Sequence, residues 1–293
     1  MKTFITLLLL SNIQLQAEII IDSFDNIDNL VNSLIDEQAY IDPGVQVSNI
    51  SYNGDSRALG YFSNGLDAGL GMDSGIVLST GYVNTIDSVN SSSRTSGRLN
   101  TGGDSDLNSL IPGYSTYDAT SIEMDFTTQG DSAYFNYAFA SEEYTEWVGS
   151  SYNDTFGFFI NGENYALVPG EDDIVAINSI NHNTNEDFFN NNDSHHDPNN
   201  NQDFDFSFDG FTNTFTAKLT GLNAGETYHL KLAIADAGDT LWDSAVFLEA
   251  GSFSKVPIAP AGAPEPEFYL LIIIAGFILY KKLQQEKSNV FVG

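Results

Sequence analysis

The chain of 293 residues contains no cysteine. Disulfides, thiolate metal centres and cysteine nucleophiles are therefore excluded. Basic residues are scarce: ten Lys and Arg stand against forty Asp and Glu, a formal net charge of −30. Between Glu18 and Ala263 the basic residues are Arg57, Arg94, Arg98, Lys218, Lys231 and Lys255. Such a surface repels nucleic acid, which is set aside as a partner, and attracts divalent cations. With four histidines, there is also little material for nucleophilic or metal-assisted hydrolysis. The Gly-x-Ser-x-Gly elbow, the His-Glu-x-x-His helix and the phosphate loop are all missing. Met72-Asp73-Ser74-Gly75 has the form of a serine nucleophile loop, but every histidine follows it, whereas a trypsin-like base precedes its serine. A glycosidase carboxylate pair is not excluded by sequence. The expectation is a protein that is not an enzyme.

The patterning that is present is mostly of period two. Phe135, Tyr137 and Phe139 alternate with Tyr134, Asn136 and Ala138, and Phe211 to Leu219 and Tyr228 to Ile234 repeat the alternation. Thr155–Ile160 and Glu163–Val168 flank Asn161-Gly162, a strong hairpin signal because both turn residues tolerate positive φ. Ile27, Leu30, Val31, Leu34 and Ile35 recur at helical spacing, which predicts an amphipathic helix near 25–37 with Ser23 or Asp25 as N-cap. The expected fold is mostly β, an antiparallel β-sandwich of jelly-roll type with one N-terminal helix; a closed barrel is the alternative. Val89–Asp106 reads as a long surface loop. About 181–205, with its Asn-rich run through His195-His196, reads as a mobile, disordered insert.

The two ends have their own logic. Met1-Lys2 and the apolar Phe4–Leu10 read as a signal peptide over residues 1–17, with Ala17 as the last residue removed. Residues 255–267 form a Pro-rich spacer ending in Pro264, Glu265 and Pro266. The apolar run Phe268–Tyr280 follows, then Lys281, Lys282 and a polar tail to residue 293. Thirteen residues at about 1.5 Å rise span about 20 Å, short of a hydrocarbon core of about 30 Å. Position nonetheless predicts a C-terminal transmembrane helix, with the lysines cytoplasmic and the preceding domain outside. The arrangement resembles the PEP-CTERM sorting tail of Gram-negative bacteria. That resemblance implies reading by an exosortase, an inner-membrane anchor, and passage to an exopolysaccharide-rich cell surface. The chain departs from the pattern in having lysines for arginines and residues trailing beyond them.

Residues 18–254 are expected to form the domain. Within them, Phe139-Ala140-Ser141-Glu142-Glu143-Tyr144, Asn153-Asp154-Thr155-Phe156-Gly157-Phe158-Phe159 and Asp243-Ser244-Ala245-Val246-Phe247 resemble the choice-of-anchor L domain of bacterial surface proteins. The resemblance implies a location at the surface and carries no established activity. Physically, each motif puts acids or an amide where an apolar strand begins or ends. Glu142, Glu143, Asn153, Asp154, Asp236, Asp239 and Asp243 are therefore the candidate calcium ligands, because calcium takes about six to eight oxygens from flexible loops. Ordinary turn capping is the competing account of the same residues. Glu-Glu is a poor turn sequence, and like charges side by side call for a counterion.

Weaker signals stand beside these. Asp205 to Gly210 matches the first half of an EF-hand loop, but position 12 is Thr216. His195-His196 with Asp193 and Asp197 offers transition-metal ligands, although a solvated loop explains it as well. Tyr144, Trp147 and Tyr152 are candidate carbohydrate-stacking residues, with Trp242 read as packing. The expected role is structural or adhesive, in contact with exopolysaccharide or other surface proteins. The alternative is a lectin-like or carbohydrate-active module.

Overall fold

Period-two alternation becomes two antiparallel sheets in the computed structural model, which describes residues 18–35, 44–196 and 204–263. The first sheet contains β1 (Ile20–Ser23), β3 (Leu59–Ser63), β4 (Gly75–Ser79), β14 (Ser244–Glu249), β6 (Ser132–Ser141), β11 (Gly210–Thr212) and β10 (Phe189–Asn191), in that spatial order, with β12 (Phe215–Thr220) also paired to β6. The second runs β2 (Val45–Asn53), β5 (Thr116–Thr128), β13 (Thr227–Ala237), β7 (Thr155–Ile160) and β8 (Glu163–Asn164), with β9 (Val175–Ala176) also on β7. Among the described residues neither sheet closes on itself, so the barrel alternative does not hold.

Alternation decides what each face buries. Phe135, Tyr137 and Phe139 of β6, Phe156 and Phe158 of β7, Leu230, Leu232 and Ile234 of β13, and Val246 and Leu248 of β14 share one core. The opposite face of β6 and β14, at Ala138, Ala140, Ala245 and Phe247, is covered by Phe206, Phe208 and Phe211. The outer face of β13, at Ala233 and Ala235, is covered by Leu107 and Phe159. The central strands are thus buried on both faces. Full burial of one such aromatic or aliphatic side chain contributes roughly 1.5–3 kcal/mol.

Local chemistry explains where the elements depart from expectation. The N-terminal helix, α1 (Ile27–Asn32), is shorter than 25–37. It is capped by Asn26, whose side chain accepts from the Asp28 and Asn29 amides, in place of Ser23 or Asp25; Ser23 is spent in β1. A second helix, α2 (Ser105–Leu110), begins at the end of the stretch read as loop, where Asp104 caps it by accepting from the Asp106 and Leu107 amides. The expected continuous strand 211–219 is split between β11 and β12, both on β6. The 181–205 segment is ordered through the residues described: β10 pairs with β11, and Asn192 and Asp193 are buried. Polar side chains there bond to backbone; Asn192 donates to the carbonyls of Phe206 and Phe208. The Asn161-Gly162 turn forms as expected between β7 and β8, with φ of 49° and 88°.

Among the described residues no helix is long and apolar enough to cross a membrane. Ala17, the Pro264-Glu265-Pro266 motif, the 268–280 segment, Lys281, Lys282 and Asp197 lie outside the described residues.

A buried carboxylate centre at one end of the sandwich

Strand pairing brings four chain segments to the same end. Ser244 at the start of β14 faces Ser141 at the end of β6, and Ala235 near the end of β13 faces Thr155 at the start of β7. The residues just beyond these pairs are the acids singled out by sequence. Glu142 donates its amide to the Asp243 carbonyl at 3.0 Å, and Asn153 donates its amide to the Ala237 carbonyl at 3.1 Å. Asp154 joins the two sheets: Oδ1 accepts from the Ala237 amide at 2.8 Å, and Oδ2 from the Ser244 hydroxyl at 2.7 Å. Asp236 lies within β13 next to a register shift, and not in the following loop as its spacing implied.

The end is sealed. Glu142 and Asp154 are fully buried, and Glu143, Asp236 and Asp243 are at most 3 % exposed. The 93–97 segment lies over it: Gly97 donates its amide to Asp243 Oδ2 at 2.7 Å, and the Trp242 indole donates to the Ser93 carbonyl. Gly81 is required by this packing, since a Cβ there would lie 1.5 Å from Asp243 Oδ2. Among the described residues no Lys or Arg forms an ion pair with any of these five acids.

Several carboxylate oxygens are left without a hydrogen-bond partner of good geometry: Glu142 Oε1, both oxygens of Glu143, both of Asp236, and Asp243 Oδ1; the Asp154 amide and the Thr80 hydroxyl stand near Glu143 and Asp236 and only partly oppose their pKa shifts. Burial is the main cause of their raised pKa values. Glu142 is pushed up to about 10, with the charges of Asp209 and Asp243 adding to the effect. Glu143 rises to about 11, again by burial and then by Asp154 and Asp239. Asp154 rises to about 8, although its bonds from Ser244 and Ala237 oppose the shift. Asp236 stands well above its ordinary value through burial, Asp154 and Asp243. Asp243 rises to about 7. Such a cluster has two stable electrostatic states, protonated or ionised around a cation.

The sequence-predicted set is mostly, but not wholly, assembled. Asp239 is half-buried at the rim and raises the pKa of Glu143. Asn153 is occupied elsewhere, its side-chain oxygen accepting from the Asn178 amide at 2.8 Å. Asp209, which sequence placed in the EF-hand-like stretch, belongs to this end instead. It is fully buried, its Oδ1 accepts from Asn90 at 2.6 Å, and its Oδ2 has no partner. Gly210 opens β11, so no EF-hand helix follows. A second group lies beside it, in which ligand atoms of Glu146, Asp193 and His196 fall within 4.8 Å of one another; no three of the other acids converge as tightly among the described residues.

The aromatic candidates separate. Tyr144 is fully buried against Phe189, with ring centroids 4.8 Å apart, and presents no face to solvent. Trp147, half-buried, packs on Tyr152 at 5.1 Å and on Trp242 at 5.2 Å. No curated protein and no solved structure matches this chain. A family model does match, over residues 22–254, and it covers the carboxylate end and both sheets. Through that match the chain belongs to the choice-of-anchor L domain family, which indicates a surface-associated, non-catalytic protein.

Proposed function

We propose that this protein is an exported, membrane- or surface-anchored structural or adhesive component of a bacterial envelope, whose domain is stabilised by calcium at the buried carboxylate end. One observation carries the calcium reading: six carboxylate oxygens of Glu142, Glu143, Asp236 and Asp243 are buried without a partner of good geometry. A buried, unpaired acid costs several kcal/mol if ionised, and a hard divalent cation bound by oxygens removes that cost. Calcium–oxygen bonds of about 2.3–2.6 Å require the side chains to draw together on binding. Asp239 at the rim supplies a further oxygen. The apolar leader ending at Ala17 supports export. The tail, from Pro264 through the 268–280 run to Lys281 and Lys282, supports retention in the inner membrane and processing by an exosortase-type enzyme.

The test uses the intact chain and one double variant, Glu143→Gln with Asp154→Asn. Saturating calcium should raise the melting temperature of the unmodified protein, sodium at matched ionic strength should not, and the paired amides should remove the response. A calcium response that survives in the double variant places the cation elsewhere. No response in the unmodified protein refutes the reading.

A lectin-like role is the second reading, favoured by the Trp147–Tyr152–Trp242 cluster beside the acidic end, in which Trp147 Nε1 has no partner. Aromatic faces beside polar groups suit sugar rings. Glycan-array binding that Trp147→Ala abolishes would favour it over a purely structural role.

A further inference from the structure

The β6–β7 connection and the segment after β10 approach each other at Glu146, Asp193 and His196. His196 Nδ1 lies 2.9 Å from Asp193 Oδ2 and 3.4 Å from Glu146 Oε2. The sequence accounts for the convergence locally. Asp193 Oδ1 accepts from the amides of His195 and His196 at 2.8 and 2.9 Å, so the chain turns back over the aspartate and delivers the imidazole to its other oxygen. The Thr145 hydroxyl donates to Asp193 Oδ2 at 3.1 Å and ties that aspartate to the neighbour of Glu146. His195 is thereby excluded from the cluster, despite being adjacent to His196.

We propose that Glu146, Asp193 and His196 form a site for a divalent transition metal of the zinc class, distinct from the calcium centre, that fastens the segment after β10 to the β6–β7 connection. One imidazole nitrogen with two carboxylates is a borderline donor set that suits zinc, cobalt or nickel better than calcium. The spacing fits: metal–ligand bonds of about 2.0–2.1 Å set ligand atoms about 3.3 Å apart in a tetrahedral site, close to the 2.9 and 3.4 Å observed here. Asp209 lies between this cluster and the carboxylate end: it is fully buried, and its pKa is raised by burial first and then by the charges of Asp193 and Glu146. A metal takes the Nδ1 lone pair, so the imidazole binds as its neutral tautomer with the ring proton on Nε2. Water fills the remaining position on the exposed side, because His196 is 42 % exposed.

Zinc binding to the intact chain is measured by calorimetry with calcium saturating, and cobalt is used as a probe by visible absorption. One zinc per chain is expected, with cobalt absorption of an imidazole–carboxylate site. His196→Ala, at a partly exposed position, should weaken zinc binding by at least about the 100-fold expected on losing a metal's supporting groups. His195→Ala should leave it unchanged. Glu143→Gln should also leave it unchanged, which separates this site from the calcium centre. Equal zinc affinity in His196→Ala, or displacement of the zinc by millimolar calcium, overturns the proposal.

Discussion

If calcium fills the carboxylate end as proposed, removing it should invert the way this protein's stability depends on pH. In the cation-free protein the buried acids have folded pKa values far above the unfolded values near 4: about 7 for Asp243, about 8 for Asp154, about 10 for Glu142 and about 11 for Glu143. The folded state then holds more protons than the unfolded chain at every pH between the two values. Stability is therefore greatest below about pH 4 for these groups, and it is lost progressively as pH rises towards each folded value. Each group so displaced removes about 1.4 kcal/mol per pH unit. Two of them acting over two pH units remove about 5 kcal/mol, which is comparable with the entire stability of about 5–15 kcal/mol typical of a domain. Bound calcium reverses the sign. It holds the same carboxylates ionised, so its contribution is present above the unfolded values and is lost as pH falls through the acidic range. At a free concentration 100 times its dissociation constant it adds about 2.7 kcal/mol, or about 5–10 °C in melting temperature for a domain of this size. Thermal melts followed by circular dichroism from pH 5 to pH 8 read both arms. Metal-stripped protein should lose stability steadily across that range, while calcium-loaded protein should stay level or gain. Superimposable curves would refute the reasoning, because they would mean that no cation distinguishes the two states of these acids.

Gly81→Ala should abolish the calcium response and destabilise the domain, since the new methyl would occupy the position of the Asp243 carboxylate; a variant with unchanged melting and calcium response would show that Asp243 is free to move. Deleting residues 268–293 should release the domain from the membrane fraction into the medium, measured by fractionation and immunoblotting. Recovery of the intact chain as freely soluble protein would remove the anchoring proposal.

Alternating hydrophobicity made the strands legible in the sequence, because a strand with one face in a core must repeat every two residues. The Asn161-Gly162 turn was legible for a related reason, since few residue pairs accept two positive φ angles. The acids beyond the strand ends were visible as a set for the same reason: antiparallel pairing returns strand ends to a common edge. Other features were decided by contacts between distant segments. Ser23 and Asp25 are acceptable caps by type, but pairing of β1 with β3 spends Ser23 and leaves Asn26 to cap the helix. The polar 181–196 stretch carries no period, yet β10 pairs with β11 and the Asn192 side chain donates to the Phe206 and Phe208 carbonyls, contacts with distant segments that no local pattern announces. Asn153 and Asp154 are neighbours with equal claims in sequence. Register alone turns one to the Asn178 amide and the other to Ser244 of the facing sheet. Composition and periodicity thus determined an acidic, antiparallel β protein with acids gathered at one end. Which of those acids are sealed from water, and which oxygens remain unpaired, depended on sheet-to-sheet packing and on the 93–97 cover, because burial and hydrogen-bond pairing are set by residues far apart in the chain.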